Sequence, residues 1–264
     1  MIDSKEKSEL IAVALEMADA AAFSILPYFR KPALAADNKD ASGFDPVTEA
    51  DRAAERAMRE VLARLRPQDA ILGEEYGNKP GDSGLTWVLD PIDGTRGFIS
   101  GTPTWGTLIA LSDATGPLMG VIDQPYIGER FIGGFGTAEV RGPHGTQTLA
   151  TKRNTELSEA ILFTTFPEVG TPDEAACFRR VAQEVKLTRY GMDCYAYGLL
   201  AAGQVDLVIE AGLQPYDIQA PIAVIQAAGG VVTDWQGKPA HNGGQCLAAA
   251  TPEIHAKALA TLNA

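Results

Sequence analysis

The chain has 264 residues, 45% hydrophobic and 21% charged, with a net charge of −12. That length and balance predict an ordinary globular protein with room for one large core or two closely packed halves. The acidity argues against a nucleic-acid surface, which needs clustered Lys and Arg, and it makes an anionic substrate awkward unless a cation is recruited.

The opening stretch MIDSKEKSEL is polar and reads as no signal peptide. Residues 4–29 predict a long amphipathic helix, with Leu10, Leu15, Met17 and Ile25 near helical spacing. Glu16 and Asp19 inside its apolar part speak against a membrane span. After the polar connection KPALAADNKDASGFD, Thr48 to Leu65 predicts a second helix, stopped by Pro67. AILGEEYG and TWVLD are short apolar runs ending in acids and read as strands. GTLIALSD, GPLMGVIDQP and ERFIGGFG follow as three strands with turn residues between them, the signature of an antiparallel sheet.

From about residue 155 the pattern alternates. AILFTTF reads as a strand, PDEAACFRRVAQEV and YAYGLLAAGQ as helices, VDLVIEAG as a strand, IQAPIAVIQAAGG as a helix and VVTDW as a strand. The expectation is a single unit over 1–264, with an α+β half at 1–150 holding the antiparallel sheet and an α/β half at 151–264. Cys177, Cys194 and Cys246 are scattered and lack CxxC spacing, which predicts a reducing, cytoplasmic setting and no zinc site.

Five acidic places attract attention: Asp51, Glu74 with Glu75, Asp90 with Asp93, Glu210, and Asp217. Each has a local explanation. Thr48 and Asp51 fit a helix capping box. Glu74 and Glu75 read as solvated loop charges. Asp90 and Asp93 fit an Asx-type bend aided by Gly94. Asp217 reads as the cap of a helix beginning near Ile218, with Pro221 tolerated only near its first turn.

Taken together, these local readings weaken. Glu74, Asp90 and Asp217 each stand where an apolar element gives way to a turn, and strand ends of this kind hold ligands. Oxygen donors without neighbouring His or Cys suit Mg2+ or Mn2+. A pair of such ions bridges a phosphate and activates a water, which would reconcile the acidity with an anionic substrate. The chain has no GxxxxGK[ST] loop, GxSxG elbow or HExxH helix, and His144, His241 and His255 sit in polar or terminal contexts. Spacing alone therefore points to metal-assisted hydrolysis.

The segments GEE, DPIDGT and YDIQAPIAVIQAAGGVVTDW resemble, in order and spacing, the three signature segments of the inositol monophosphatase family, within the fructose-bisphosphatase-like superfamily. The resemblance covers nearly the whole chain. It implies an α+β fold layered as an αβαβα sandwich, hydrolysis of a small phosphorylated metabolite, a homodimer and sensitivity to lithium. It also implies Mg2+, two or three ions to a site, with Mn2+ as a substitute. Carried over residue by residue, Glu74, Asp90, the Ile92 carbonyl, Asp93 and Asp217 are the metal ligands. Thr95 and Asp51 orient the attacking water, with Glu74 close by, and the Gly94 and Thr95 amides cradle the phosphate. Tyr216 stands where the family usually has Trp. Lys39 is a candidate for the lysine common upstream of the Asp51 segment.

For the ester itself, GTRGFISGTPTWGTLIAL and RYGMDCYAYGLLAAG look more like the histidinol-phosphate phosphatase branch than the inositol branch. Asp193 stands where a small residue is expected in inositol phosphatases, and Glu210 where the family contacts the leaving alcohol. Two carboxylates there would pair with the cationic groups of histidinol. Arg189 is a further substrate-binding candidate, although a surface ion pair is an equal reading for it and for Arg96. Trp105 reads as core rather than substrate platform, and Asp193 could instead cap the helix that follows it. The alternatives are an inositol monophosphatase or broad sugar phosphatase, a nucleotide 3′-phosphatase, and a metal-binding regulatory scaffold without turnover.

Overall fold

The computed structural model describes residues 2–31, 36–38 and 46–264. Lys39 lies outside the described residues. The first helix, α1 (Ser4–Ile25), begins where the Asp3 side chain accepts a hydrogen bond from Glu6 N at 2.8 Å. It ends four residues before the expected boundary, because Pro27 has no N–H with which to continue the ladder. The second, α2 (Glu49–Leu65), starts from a capping box in which Thr48 and Asp51 exchange hydrogen bonds. Two short strands, β1 (Ala36–Asn38) and β2 (Pro46–Thr48), pair just before it.

The next eight strands form one sheet. They are β3 (Ala70–Gly73), β4 (Gly77–Lys79), β5 (Thr86–Asp93), β6 (Gly106–Asp113), β7 (Gly116–Gln124), β8 (Glu129–Gly134), β9 (Thr137–Gly142) and β10 (Gly145–Thr148). Their order is β10-β9-β8-β7-β6-β5-β3-β4. The sheet is mixed rather than purely antiparallel, because β3 and β5 run parallel. The β9–β10 hairpin escapes the sequence reading, since its partly exposed, polar strands carry no apolar run. A short helix, α3 (Thr95–Ser100), follows β5.

The second sheet holds β11 (Ile161–Thr164), β12 (Leu187–Tyr190), β13 (Leu207–Leu213), β14 (Val231–Thr233) and β15 (Gly244–Ala249), in the order β12-β11-β13-β15-β14. Its helices are α4 (Pro172–Glu184), α5 (Tyr195–Ala201), α6 (Pro215–Ala227) and α7 (Pro252–Leu262). Helix α6 starts at Pro215, earlier than expected. Gln214 is its cap, Asp217 is its third residue and accepts from Gln214 N at 2.7 Å, and Pro221 lies well inside. Pro221 therefore leaves the Asp217 carbonyl without its usual helical donor.

Period-two alternation along the strands sorts side chains into three cores and so stacks the layers. Trp87 and Leu89 of β5 and Ile109 and Leu111 of β6 join α1 and α2 on one face of the large sheet. Val88, Leu108 and Ala110 face the other way, onto α5 and α6, which also receive Val208 of β13 and Cys246 and Ala248 of β15. Leu207, Ile209, Leu247 and Ala249 turn from the small sheet onto α4 and α7. The sequence of layers is helices, sheet, helices, sheet, helices. Among the described residues, no helix is long and apolar enough to cross a membrane.

Candidate active site

A cavity of about 410 Å³ opens where both sheets end. Glu74, just past β3, Asp90, Ile92 and Asp93 of β5, and Gly94 to Arg96 form one wall. Thr165 and Phe166 after β11, Asp193 before α5, Glu210 of β13, and Tyr216 and Asp217 of α6 form the other.

Asp90 and Asp93 are three apart, so a regular strand would point them to opposite faces. A bulge prevents this. Asp90 pairs with Leu108 but Asp93 with Gly106, so β5 carries one extra residue and its end is re-aimed. Carboxylate oxygens of Asp90, Asp93 and Asp217 consequently lie within 4.8 Å of one another. Across the cavity, β13 is irregular in the same way between Glu210 and Leu213.

This cluster is electrostatically uncomfortable. Burial pushes the Asp90 carboxyl well above the usual range, and the charges of Glu74, Asp93 and Asp217 push it further. Asp93 is raised by burial, then by Asp217 and Asp193, although Cys194 opposes the shift with its amide, which donates to Asp93 Oδ2 at 2.6 Å. Asp90 Oδ1 is buried with no hydrogen-bond partner among the described residues. A buried, unpartnered carboxylate oxygen beside two further carboxylates fits an oxophilic cation, which would relieve both the repulsion and the orphaned acceptor.

Gly94 has φ 86° and caps α3, and a Cβ there would come within 2.7 Å of Asp193 Cγ, so glycine is required twice over. The Thr95 hydroxyl donates to the Ile92 carbonyl at 3.0 Å. Asp193 adopts a left-handed backbone at φ 48° and accepts from Thr104 Oγ1 at 2.8 Å. It is not a helix cap, because Cys194 holds that position at α5. Glu210 is 7% exposed and takes three hydrogen bonds: Thr165 N at 2.6 Å and Thr165 Oγ1 at 2.9 Å on one oxygen, Thr164 Oγ1 at 3.1 Å on the other. Burial raises its pKa to about 7, against the opposing effect of those donors.

Of the residues singled out in the sequence, Glu74, Asp90, Ile92, Asp93, Gly94, Thr95, Asp193, Glu210 and Asp217 meet in this cavity. Arg189 does not. It sits exposed on β12, one of the two edge strands of its sheet, opposite Phe163, and is no part of the wall. Asp51 is 1% exposed and is not among the residues that line the cavity; its Oδ2 accepts from Thr48 N at 2.8 Å and Thr48 Oγ1 at 2.6 Å. Arg96 does line the cavity, with its guanidinium 4.9 Å from the ring centre of Phe166. Trp105 is core, packed edge-on against Phe29 and Phe98. Thr104, Thr165 and Phe166 were missed. Thr165 and Phe166 follow the end of an apolar strand, the same signal that marks Asp93.

Clustered carboxylates at bulged strand ends suit a metal-dependent hydrolase. Residues 6–264 match the inositol monophosphatase family, and the chain belongs to it. It is 45% identical over 239 residues to the chloroplastic bifunctional phosphatase IMPL2 of Arabidopsis thaliana, covering 90% of this chain and 67% of that one. With the histidinol-phosphatase of Mycobacterium tuberculosis it shares 35% identity, over 83% of this chain and 85% of the other. The solved inositol monophosphatase of Zymomonas mobilis superposes with a TM-score of 0.86 at 39% identity, covering 99% and 100% of the two chains. The protein is thus a phosphoric monoester hydrolase of a metal-dependent family.

Proposed function

We propose that the chain hydrolyses a small phosphate monoester whose alcohol carries positive charge, L-histidinol phosphate first among them. The observation that carries this reading is the pair Asp193 and Glu210, two carboxylates on the cavity wall, the first half-buried and the second buried. A neutral polyol can only donate hydroxyl hydrogen bonds to these carboxylates, whereas an ammonium or imidazolium also pairs with their charge. Relatives named histidinol-phosphatase support the same choice.

Glu74, Asp90, the Ile92 carbonyl, Asp93 and Asp217 would hold Mg2+, with Mn2+ as a substitute. Such ions, when bound, neutralise the phosphate and lower the pKa of a coordinated water. Thr95 is assigned the task of orienting that water. Its hydroxyl donates to Ile92 O, which leaves its oxygen to serve as an acceptor. Asp51 stands with Thr95 in this role on the strength of the family resemblance. The amides of Gly94 and Thr95 would receive the phosphate oxygens, and Asp193 and Glu210 would fix the leaving alcohol. A cytoplasmic homodimer inhibited by Li+ completes the proposal.

An inositol monophosphatase is the second reading, favoured by the Zymomonas mobilis likeness. Phosphate release measured over histidinol phosphate, inositol 1-phosphate, fructose 1,6-bisphosphate and 3′-phosphoadenosine 5′-phosphate separates the candidates. The highest kcat/KM is expected on histidinol phosphate, and a higher value on inositol 1-phosphate would overturn the choice of ester.

A further inference from the structure

Glu74 sits in the three-residue turn between β3 and β4, and something must hold that turn still. Its own amide donates to Leu89 O on β5 at 3.1 Å. The next two amides go elsewhere: Glu75 N donates to Glu55 Oε2 at 2.7 Å and Tyr76 N to Glu55 Oε1 at 3.2 Å. Glu55 belongs to α2, and its side chain is fully buried. Arg59, one turn further along the helix, donates to Glu55 Oε1 from Nε at 2.8 Å and to Gly77 O from Nη2 at 2.5 Å. Carboxylate and guanidinium therefore clasp the turn from Glu75 through Gly77, while Leu89 O holds its start.

The clasp also explains the glycine in GEE. A Cβ on Gly73 would lie 2.0 Å from Glu55 Oε1 and 2.7 Å from Arg59 Nη2, so the carboxylate fills the space a side chain would need. Asp51, Glu55 and Arg59 stand four apart on one stripe of α2. That stripe ties the capping box to the Glu74 turn. The cost of burying Glu55 is met only while both amides and Arg59 satisfy it.

We propose that Glu55 is a positioning residue that sets the Glu74 carboxylate toward the Asp90 cluster. This rests on reading Glu74 as a metal ligand. Glu55→Gln has one acceptor oxygen and places an NH2 group against an amide donor, so it cannot serve Glu75 N and the Tyr76–Arg59 side together.

The test is Mn2+ binding by isothermal titration calorimetry without substrate, alongside Mg2+ dependence of turnover. In Glu55→Gln, Mn2+ affinity and half-saturating Mg2+ should each worsen about tenfold or more, while KM for the ester at saturating Mg2+ stays within about twofold. Asp69→Asn is the structural control, since Asp69 is a buried carboxylate bonded to Arg66 and Trp87 outside the cavity wall. It should lower Tm without moving Mn2+ affinity. Should Glu55→Gln fail to fold, Arg59→Lys loses the fork that bridges Glu55 and Gly77, and it should weaken Mn2+ binding several-fold.

Wild-type Mn2+ affinity in whichever of these two variants folds, with Glu74→Gln impaired, overturns the positioning role alone. Wild-type affinity in Glu74→Gln removes the ligand reading and the positioning role with it.

Discussion

Replacing Glu210 by Gln should make the metal-free protein more stable above neutral pH while damaging its choice of substrate. Glu210 is buried, and its pKa rises from the ordinary 4.5 to about 7. An acid whose folded pKa is raised contributes stability below its unfolded pKa and loses it as pH climbs through the folded value. The loss falls between about pH 4.5 and 7 and totals about 3 kcal/mol, at about 1.4 kcal/mol per pH unit. Gln escapes it. Its oxygen, in the position of Oε1, still accepts from Thr165 N and Oγ1, and its NH2 donates to Thr164 Oγ1, whose hydroxyl reverses from donor to acceptor.

Calorimetric Tm should be followed against pH in EDTA. The variant should match wild type near pH 4.5 and pull ahead to a plateau above about pH 7, by roughly 6–12 °C. On a cationic ester its kcat/KM should fall about ten- to a hundredfold, and on p-nitrophenyl phosphate far less. A Tm difference that stays flat over this range would refute the claim that burial leaves the Glu210 charge uncompensated. Equal kinetic losses on both esters would take Glu210 out of substrate recognition.

Chelation should abolish turnover and Mg2+ restore it. Asp93→Asn should eliminate turnover and weaken Mn2+ binding while circular dichroism stays native, because the substitution removes charge but keeps shape. Thr95→Ala should lower kcat on the order of a hundredfold with KM little changed, and retention of wild-type kcat would remove Thr95 from the water-orienting role. Asp193→Asn should cost about ten- to a hundredfold in kcat/KM on the cationic ester only, and a matching loss on p-nitrophenyl phosphate would make Asp193 a wall residue. Trp105→Ala should destabilise by about 3–5 kcal/mol in urea unfolding without altering KM, whereas a raised KM with little loss of stability would return Trp105 to the site.

Local chemistry made much of this protein legible from residue order alone. Helices α1 and α2 were readable because capping and helical spacing are local, and β5 to β8 because their apolar runs are broken by turn residues. The acids at strand ends raised the expectation of a cation site, and DPIDGT with Asp217 announced the family. Other features rest on contacts between distant segments and left no local trace. Only the β5 bulge brings Asp90 and Asp93 to one side, because its register is set by pairing with β6 and not by the sequence of β5 itself. The place of Arg189 outside the cavity follows from β12 pairing as an edge strand of its sheet, which is a matter of topology. The clasp of Glu55 on the Glu74 turn joins residues about twenty apart through burial, and no periodicity records which buried carboxylate will meet which amide. Residue types and their spacing determined which groups are present and what chemistry they suit. Long-range packing decided which of them converge, because burial and strand register are properties of the assembled layers.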